Sequence, residues 1–314
     1  MPGTGEDREM DRLEKYRGII PAFYACYDKN GKISTDAVRD LTRYFIQKKV
    51  KGIYVNGSSG ECIYQSVEER KRILEAVMKE AEGKLTVIAH VACNNTEDSM
   101  ELAAHAESLG VDAIAAIPPI YFRLPEHAVA GYWNAISQAA PDTDFVIYNI
   151  PQLAGTALTE RLFRKMRENK RVIGVKNSSM PIQDIQIFKA AGGADCVVFN
   201  GADEQFIGGK AIGADGGIGG TYGAMPELFL AMDALMEKGR TADARRIQYE
   251  VNDIISCLCS GHGSMYGIIK EVLRIREGLD IGSVRSPLPE LEGNDFEIAA
   301  KAARMIDEAI CGIQ

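Results

Sequence analysis

The apolar run 172–175 leads directly into a lysine, Lys176. A lysine held in a low-dielectric environment has its charged form disfavoured, and the free amine then acts as a nucleophile toward a carbonyl. The run and the lysine together indicate Schiff-base chemistry. The alternative is a solvent-facing lysine at the exit of a strand, and this feature alone fits both interpretations.

Two more polar features accompany apolar runs of the same kind. Tyr148 lies near the end of one run, where its phenol can move protons at a carbinolamine or at an aldol oxygen. A buried core tyrosine is the alternative. The turn 57–61 follows another run, and the hydroxyls of Ser58 and Ser59 suit a carboxylate, as do free backbone N–H groups. Turns of glycine and serine are common connections, so the meaning of this one depends on its place in the fold.

Two carboxylates follow a fourth apolar run. The run ends at Gly201, and Asp203 and Glu204 come directly after it. Their oxygens can accept hydrogen bonds from sugar hydroxyls. The alternative is that both residues cap the N-terminus of the next helix, where negative charge is favourable. The two interpretations are compatible with each other.

Short apolar runs alternate with longer amphipathic stretches along most of the chain, which is typical of parallel β/α units. Several amphipathic stretches begin with a helix-capping residue, such as Ser34, Ser66 and Thr159. Eight such units predict an α/β fold, a (β/α)8 TIM barrel, in which reactive groups gather at the C-terminal ends of the strands. A doubly wound sheet is the alternative, but the residues at the end of the first strand, 23–26, contain no glycine-rich dinucleotide turn. The predicted strands are 18–26, 52–57, 85–91, 113–118, 144–151, 172–176, 196–201 and 216–220, and the predicted helices are 34–49, 67–82, 95–109, 126–140, 159–168, 182–191, 204–213 and 226–238.

After residue 239 the strand signal stops and only helical periodicity continues. The sequence predicts three further helices at 241–260, 264–278 and 294–313. The expected organisation is therefore a TIM barrel over 17–239 and a C-terminal helical subdomain over 240–314. The polar, charged segment 1–16 is interpreted as an N-terminal leader, a disordered segment to which no function is assigned.

Composition narrows the classes of partner. The 314 residues carry 36 basic and 44 acidic side chains, a net charge of −8, and such a field disfavours nucleic acid. No stretch approaches the roughly 20 apolar residues of a membrane helix, and the N-terminus lacks an apolar signal core. We therefore expect a cytoplasmic protein with no membrane partner. The seven cysteines are odd in number and form no CxxC pair, and the four histidines are scattered, so no metal is expected.

Taken together, the strand ends resemble those of the N-acetylneuraminate lyase and dihydrodipicolinate synthase superfamily, from about Arg17 to the C-terminus. The resemblance rests on the turn 57–61, on 148–151, on Lys176 and on the run 213–219. It implies that Lys176 forms an imine with pyruvate, without any cofactor. It also implies that Ser58 and Ser59 hold the carboxylate of pyruvate, that Ser58 and Tyr148 relay protons, that Tyr121 enters the site of a neighbouring subunit, and that the protein is a homotetramer.

Within the superfamily the sequence is similar to the sialic acid lyase branch. Dihydrodipicolinate synthases place an arginine where this chain has Leu153, which cannot clamp a carboxylate. Ser178 matches the hydroxyl position beside the lysine, and the stretch from Gly201 to Asp203 and Glu204 matches residues that contact the sugar. Gly220 is a departure, because typical sialic acid lyases have a serine there, and the change removes a hydroxyl.

The resemblance implies a class I aldolase that reversibly cleaves N-acetylneuraminate to N-acetylmannosamine and pyruvate. Three alternatives stand beside it: dihydrodipicolinate synthase, another pyruvate-dependent aldolase or dehydratase of sugar acids, and a non-catalytic binder of 2-oxo acids. In each case the partner is a small 2-oxo acid or sugar acid.

Overall fold

The computed structural model of the protein describes residues 12–313, and its described strands form one parallel sheet. The strands are β1 (Gly18–Pro21), β2 (Gly52–Val55), β3 (Thr86–His90), β4 (Ala113–Ala116), β5 (Asp144–Asn149), β6 (Val172–Asn177), β7 (Val197–Asn200) and β8 (Gly216–Gly219). The order in the sheet is β1-β8-β7-β6-β5-β4-β3-β2. The backbone of Phe23 donates to the Tyr54 carbonyl at 2.9 Å beyond the end of β1, and this bond brings β1 beside β2. The sheet thus forms the predicted TIM barrel.

Helices follow the strands on the outside of the barrel. They are α1 (Thr35–Gln47), α2 (Val67–Ala81), α3 (Thr96–Ser108), α4 (Glu126–Ala139), α5 (Pro151–Ala154), α6 (Glu160–Met166), α7 (Gln183–Gly192), α8 (Phe206–Ala211) and α9 (Pro226–Glu237). The predicted caps are confirmed: Ser34, Ser66 and Thr159 each accept a backbone N–H of the first turn. These caps satisfy donors that a helix N-terminus leaves free.

Three further helices complete the described chain: α10 (Thr241–Leu258), α11 (Met265–Glu277) and α12 (Asp295–Ile313). The helices α10, α11 and α12 contact one another, and α10 also lies on α9. The three helices that the sequence predicts after residue 239 are therefore present. None of the described helices is both long and apolar enough to cross a bilayer.

The apolar residues form two cores. The larger one fills the space between the sheet and its helices. The smaller one fills the inside of the barrel, where Leu13 and Tyr16 close the end from which the strands start. The Tyr16 hydroxyl donates to the carbonyl of Asp112 at 2.6 Å and lies 2.8 Å from a carboxylate oxygen of Asp144. Residues 12–16 of the predicted leader therefore belong to the barrel floor, while residues 1–11 lie outside the described range.

Some boundaries differ from the predicted ones. The first strand ends at Pro21 rather than residue 26, because beyond the bridge of Ala22 to Tyr54 the chain leaves the sheet. The helix expected from residue 204 begins at Phe206, because Asp203–Gln205 forms a separate 3-10 turn. The short helix α5 was not predicted. These differences leave the polar strand ends at the same mouth of the barrel.

Candidate active site

The predicted lysine and tyrosine lie on neighbouring strands at the barrel mouth. Tyr148 of β5 is aligned with Lys176 of β6 in the parallel register. The Lys176 Nζ is 3.9 Å from the centroid of the Tyr148 ring and 4.3 Å from that of Tyr54. The strand register therefore brings together two side chains that are 28 residues apart in sequence.

Lys176 is a buried amine without an ion-pair partner in the described part of the chain. Its exposed fraction is 4 %, and no ion pair involves it among residues 12–313. Burial lowers the pKa of Lys176 to about 7, and the negative charge of Asp203 acts in the opposite direction. Near neutral pH a large fraction of the amine is therefore uncharged and able to attack a carbonyl. The solvent-facing alternative for this lysine is wrong.

The Tyr148 phenol is buried and faces two serines. Burial raises the pKa of Tyr148 to about 12, while the hydroxyls of Ser58 and Ser178 act to lower it. The phenol is therefore protonated at neutral pH. A protonated phenol beside two hydroxyls can pass a proton along, accepting one as it donates another.

The turn after β2 is tightly built. Ser58–Gly60 forms a 3-10 turn, and Glu61 follows in a left-handed conformation with φ of 55°. A Cβ atom on Gly57 would lie 2.6 Å from the Tyr54 ring, so glycine is needed for the turn to cross that ring. The turn brings the Ser59 hydroxyl within 3.1 Å of the Tyr266 oxygen, to which it donates.

Asp203 is held rigidly on one side and left free on the other. Its Oδ2 accepts from the backbone N–H and the hydroxyl of Thr221, at 2.7 and 2.6 Å. Its Oδ1 is buried and has no hydrogen-bond partner in the described part of the chain. Burial raises the pKa of Asp203 to about 6, against the hydrogen bonds from Thr221. The carboxylate therefore has an unused acceptor that lies beneath the surface beside Gly219. Glu204, the next residue, is exposed.

Two glycines let other side chains approach. A Cβ atom on Gly201 would lie 2.1 Å from the Ser178 oxygen, so glycine is required for strands β6 and β7 to keep Ser178 in place. A Cβ atom on Gly220 would lie 3.2 Å from the Ser59 oxygen and 3.4 Å from the Tyr266 oxygen. Gly220 is thus surrounded by hydroxyls from other residues.

Tyr121 and Leu153, which the sequence analysis also singled out, lie on the surface. Tyr121 is 90 % exposed, has φ of 83°, and makes an edge contact with Phe122. It lines a cavity of about 530 Å³ with Asn94 and Tyr132, apart from Lys176 and Tyr148. Leu153 on α5 is 66 % exposed.

Sequence reasoning missed three residues of the site. Tyr54 lies in the middle of β2 and gave no signal beyond that of a core aromatic. Thr221 was overlooked because its partner Asp203 is 18 residues away. Tyr266 lies in the predicted C-terminal subdomain, at the start of α11. Within residues 12–313 no group of three or more His, Cys, Asp or Glu side chains could hold a metal ion.

A TIM barrel with a buried, unpaired lysine beside a tyrosine at its mouth defines a class of Schiff-base enzymes. The sequence profile described as the Dihydrodipicolinate synthetase family matches residues 15–305, so the chain belongs to this family.

The chain is 68 % identical to an N-acetylneuraminate lyase of Mediterraneibacter gnavus over 96 % of both sequences. A solved structure of a catalytic lysine mutant of the Ruminococcus gnavus sialic acid aldolase aligns with a TM-score of 0.96 and 67 % identity, covering 96 % of this chain and 99 % of the other. An N-acetylneuraminate lyase from Fusobacterium nucleatum aligns with a TM-score of 0.87 and 30 % identity, covering 93 % and 99 %.

Proposed function

We propose that this protein is a class I aldolase that reversibly cleaves N-acetylneuraminate to N-acetylmannosamine and pyruvate. The observation that carries the proposal is the buried, unpaired amine of Lys176, with a pKa lowered to about 7, against the ring of Tyr148. The similarity to relatives named N-acetylneuraminate lyase over almost the whole chain supports the choice of substrate. A relative in which a lysine is catalytic supports the choice of chemistry.

The reaction begins when the free amine of Lys176 adds to the C2 carbonyl of the open-chain sugar acid. The Tyr148 phenol gives its proton to the carbinolamine hydroxyl, which leaves as water, so that a protonated imine and the Tyr148 phenolate remain. The C4 hydroxyl then loses its proton toward Tyr148, the C3–C4 bond breaks, and its electron pair moves into the imine to give an enamine. A proton returned to C3 and hydrolysis of the imine release pyruvate and regenerate the lysine. The imine nitrogen is the electron sink, so the step requires neither a metal nor an organic cofactor.

The hydroxyls around the lysine divide the remaining tasks. Ser58 and Tyr148 carry protons, because the two side chains face each other and the phenol is protonated at neutral pH. Ser59 binds the carboxylate of the 2-oxo acid together with the backbone N–H groups of its turn, its hydroxyl turning from the Tyr266 oxygen to the substrate. Ser178 contacts the substrate beside the imine.

The polyol tail of the sugar binds on the other side of the mouth. The carboxylate of Asp203 accepts a hydroxyl of the tail, and its exposed neighbour Glu204 accepts another. Gly201 and Gly220 provide backbone that the substrate can approach closely. The exposed apolar Leu153 offers no clamp for a second carboxylate, which disfavours the dihydrodipicolinate synthase reaction.

We further propose that the protein is a homotetramer in which Tyr121 enters the site of a neighbouring subunit. Tyr121 and Phe122 are exposed to 90 % and 71 %, and two adjacent aromatic rings on a surface loop are suited to a protein interface. Light scattering after size exclusion measures the assembly, and Tyr121→Ala is expected to lower activity if the ring completes a second site.

The domain division into a barrel over 17–239 and a helical subdomain over 240–314 remains our proposal, as does a cytoplasmic location. The helices α10 to α12 contact one another, which supports the division. The seven cysteines are unpaired in the described chain, which supports a reducing compartment.

The test of the proposed function is release of pyruvate from N-acetylneuraminate by the purified protein, with Lys176→Ala beside it. We expect release by the unchanged enzyme and none by the variant. Absence of release, with pyruvate still trapped on Lys176 by borohydride, would retain the aldolase chemistry and reject this substrate.

A further inference from the structure

The first turn of α11 brings a tyrosine from the C-terminal part of the chain to the barrel mouth. The Tyr266 hydroxyl accepts a hydrogen bond from Ser59 at 3.1 Å. Its ring lies 6.3 Å from the ring of Tyr24, at an angle of 50°. Tyr266 is therefore in direct contact with the turn to which the carboxylate of the 2-oxo acid is assigned above.

The position of α11 relative to this turn is fixed by a second contact. One turn further along the helix, Lys270 forms an ion pair with Glu61 at 2.8 Å and donates to the Ser283 carbonyl at 2.7 Å. Lys270 and Glu61 are both buried. Residues four apart lie on the same face of a helix. Tyr266 and Lys270 thus contact the middle and the end of the turn from the same side.

The Tyr266 hydroxyl has a proton to offer. In the described part of the chain it accepts from Ser59 and donates to no protein group. Burial raises the pKa of Tyr266 above its ordinary value, so the phenol keeps its proton at neutral pH. Tyr266 is partly buried at the barrel mouth, and this donor is satisfied when a ligand supplies the acceptor.

Gly220 makes the room that this hydroxyl occupies. A Cβ atom there would lie 3.2 Å from the Ser59 oxygen, closer than ordinary contact, and 3.4 Å from the Tyr266 oxygen, at the short limit of ordinary contact. The backbone is not free to retreat, because the buried Tyr24 hydroxyl donates to the Gly220 carbonyl at 2.8 Å. A serine at 220 would therefore crowd Ser59 and leave little room beside the Tyr266 hydroxyl.

We propose that Tyr266 is a substrate-binding residue, that its hydroxyl donates to the carboxylate end of the bound 2-oxo acid beside Ser59, and that glycine at position 220 makes room for it. The proposal rests on the function proposed above. It assigns a residue of the C-terminal helices to the site at the barrel mouth. It also explains why the hydroxyl expected at position 220 is absent: Tyr266 supplies one from another direction.

The test is a double-mutant cycle with Tyr266→Phe, Gly220→Ser and the double variant. The substitution Tyr266→Phe keeps the ring and removes only the hydroxyl, so folding is expected to persist. The matched control is Tyr249→Phe on α10, where the side chain is 64 % exposed. The readouts are kcat and KM for N-acetylneuraminate, the pyruvate concentration at half-maximal borohydride trapping, and the melting temperature.

We expect Tyr266→Phe to raise KM and the half-trapping concentration about ten- to a hundredfold, the effect of one lost hydrogen bond to a charged group. The melting temperature is expected to stay near that of Tyr249→Phe, whereas a purely structural role would lower it and leave KM unchanged. Gly220→Ser is expected to weaken binding in the unchanged enzyme and to weaken it less in the Tyr266→Phe background. This coupling is expected because one of the two crowded hydroxyls is then gone.

Wild-type values for Tyr266→Phe would overturn the contact with substrate, and independent effects of the two substitutions would overturn the pairing with Gly220. The result of the double-mutant cycle can be distinguished from the result of the test of the proposed function. Pyruvate release by the unchanged enzyme supports that function whatever the cycle shows. If no sugar acid is cleaved, the half-trapping concentration for pyruvate still decides the role of Tyr266.

Discussion

Two buried lysines lie near this site, and they differ in whether an acidic side chain forms an ion pair with them. Lys270 on α11 is 2 % exposed and pairs with Glu61, while Lys176 on β6 is 4 % exposed and has no ion-pair partner in the described chain. Burial lowers the pKa of both, and in Lys270 the charge of Glu61 opposes the effect. Both lysines are buried, so the lack of an ion-pair partner is what distinguishes Lys176, the proposed nucleophile, from Lys270, which stabilises the fold.

The largest expected effect is the loss of chemistry in Lys176→Met. Methionine is an unbranched side chain of nearly the same length without an amine, so kcat for pyruvate release is expected to fall on the order of 10^4-fold or more. The melting temperature is expected not to fall, because no ion pair is broken. Steady-state kinetics and calorimetry on the same preparation measure both quantities. A clear loss of stability would show that Lys176 also supports the fold.

Tyr148→Phe tests whether the partner of the amine moves protons. The ring that lies 3.9 Å from the Lys176 Nζ is retained, while the hydroxyl is lost. We expect kcat to fall about 10^2- to 10^4-fold, with pyruvate still trapped on Lys176. A variant that fails to trap pyruvate but keeps its fold would assign Tyr148 to imine formation instead.

Lys270→Met is the counterpart of the first substitution at the paired lysine. It leaves the carboxylate of Glu61 buried without its cation, and the free energy of unfolding is expected to drop by about 3–5 kcal/mol. The double variant with Glu61→Gln is expected to be more stable than Lys270→Met. Denaturant unfolding monitors both, and additive losses in the double variant would contradict a coupled pair.

The smallest expected effect is a shift in pH dependence. The trapping rate should rise through about pH 7 as Lys176 loses its proton. The charge of Asp203 raises the pKa of Lys176. In Asp203→Asn this contribution is lost, so the acidic limb is expected to move to lower pH. Trapping rates measured with pyruvate across pH give the limb, and a shift to higher pH would contradict the assigned sign.

The sequence was sufficient to predict most strands and helices and several residues at the mouth of the barrel. The alternation of apolar runs and amphipathic stretches predicted the barrel, because each of these patterns is formed by residues that are close together in the sequence. Lys176 and Tyr148 were found for a related reason: each stands at the end of an apolar run, and in a barrel those ends meet.

What the sequence did not predict depends on distant partners. The bond from Ser59 to Tyr266 and the pair of Glu61 with Lys270 each join residues more than 200 positions apart. The replacement of a serine by Gly220 looked like a simple loss, because the side chain that fills the space comes from α11. Such contacts follow from packing, which no local pattern encodes.

The most direct test of the account is borohydride trapping with pyruvate, followed by peptide mass spectrometry to locate the modified lysine. The account predicts a single reduced pyruvate adduct on Lys176, none on the equally buried Lys270, and none in Lys176→Met. An adduct on any other lysine, or no adduct in the unchanged enzyme, would contradict it.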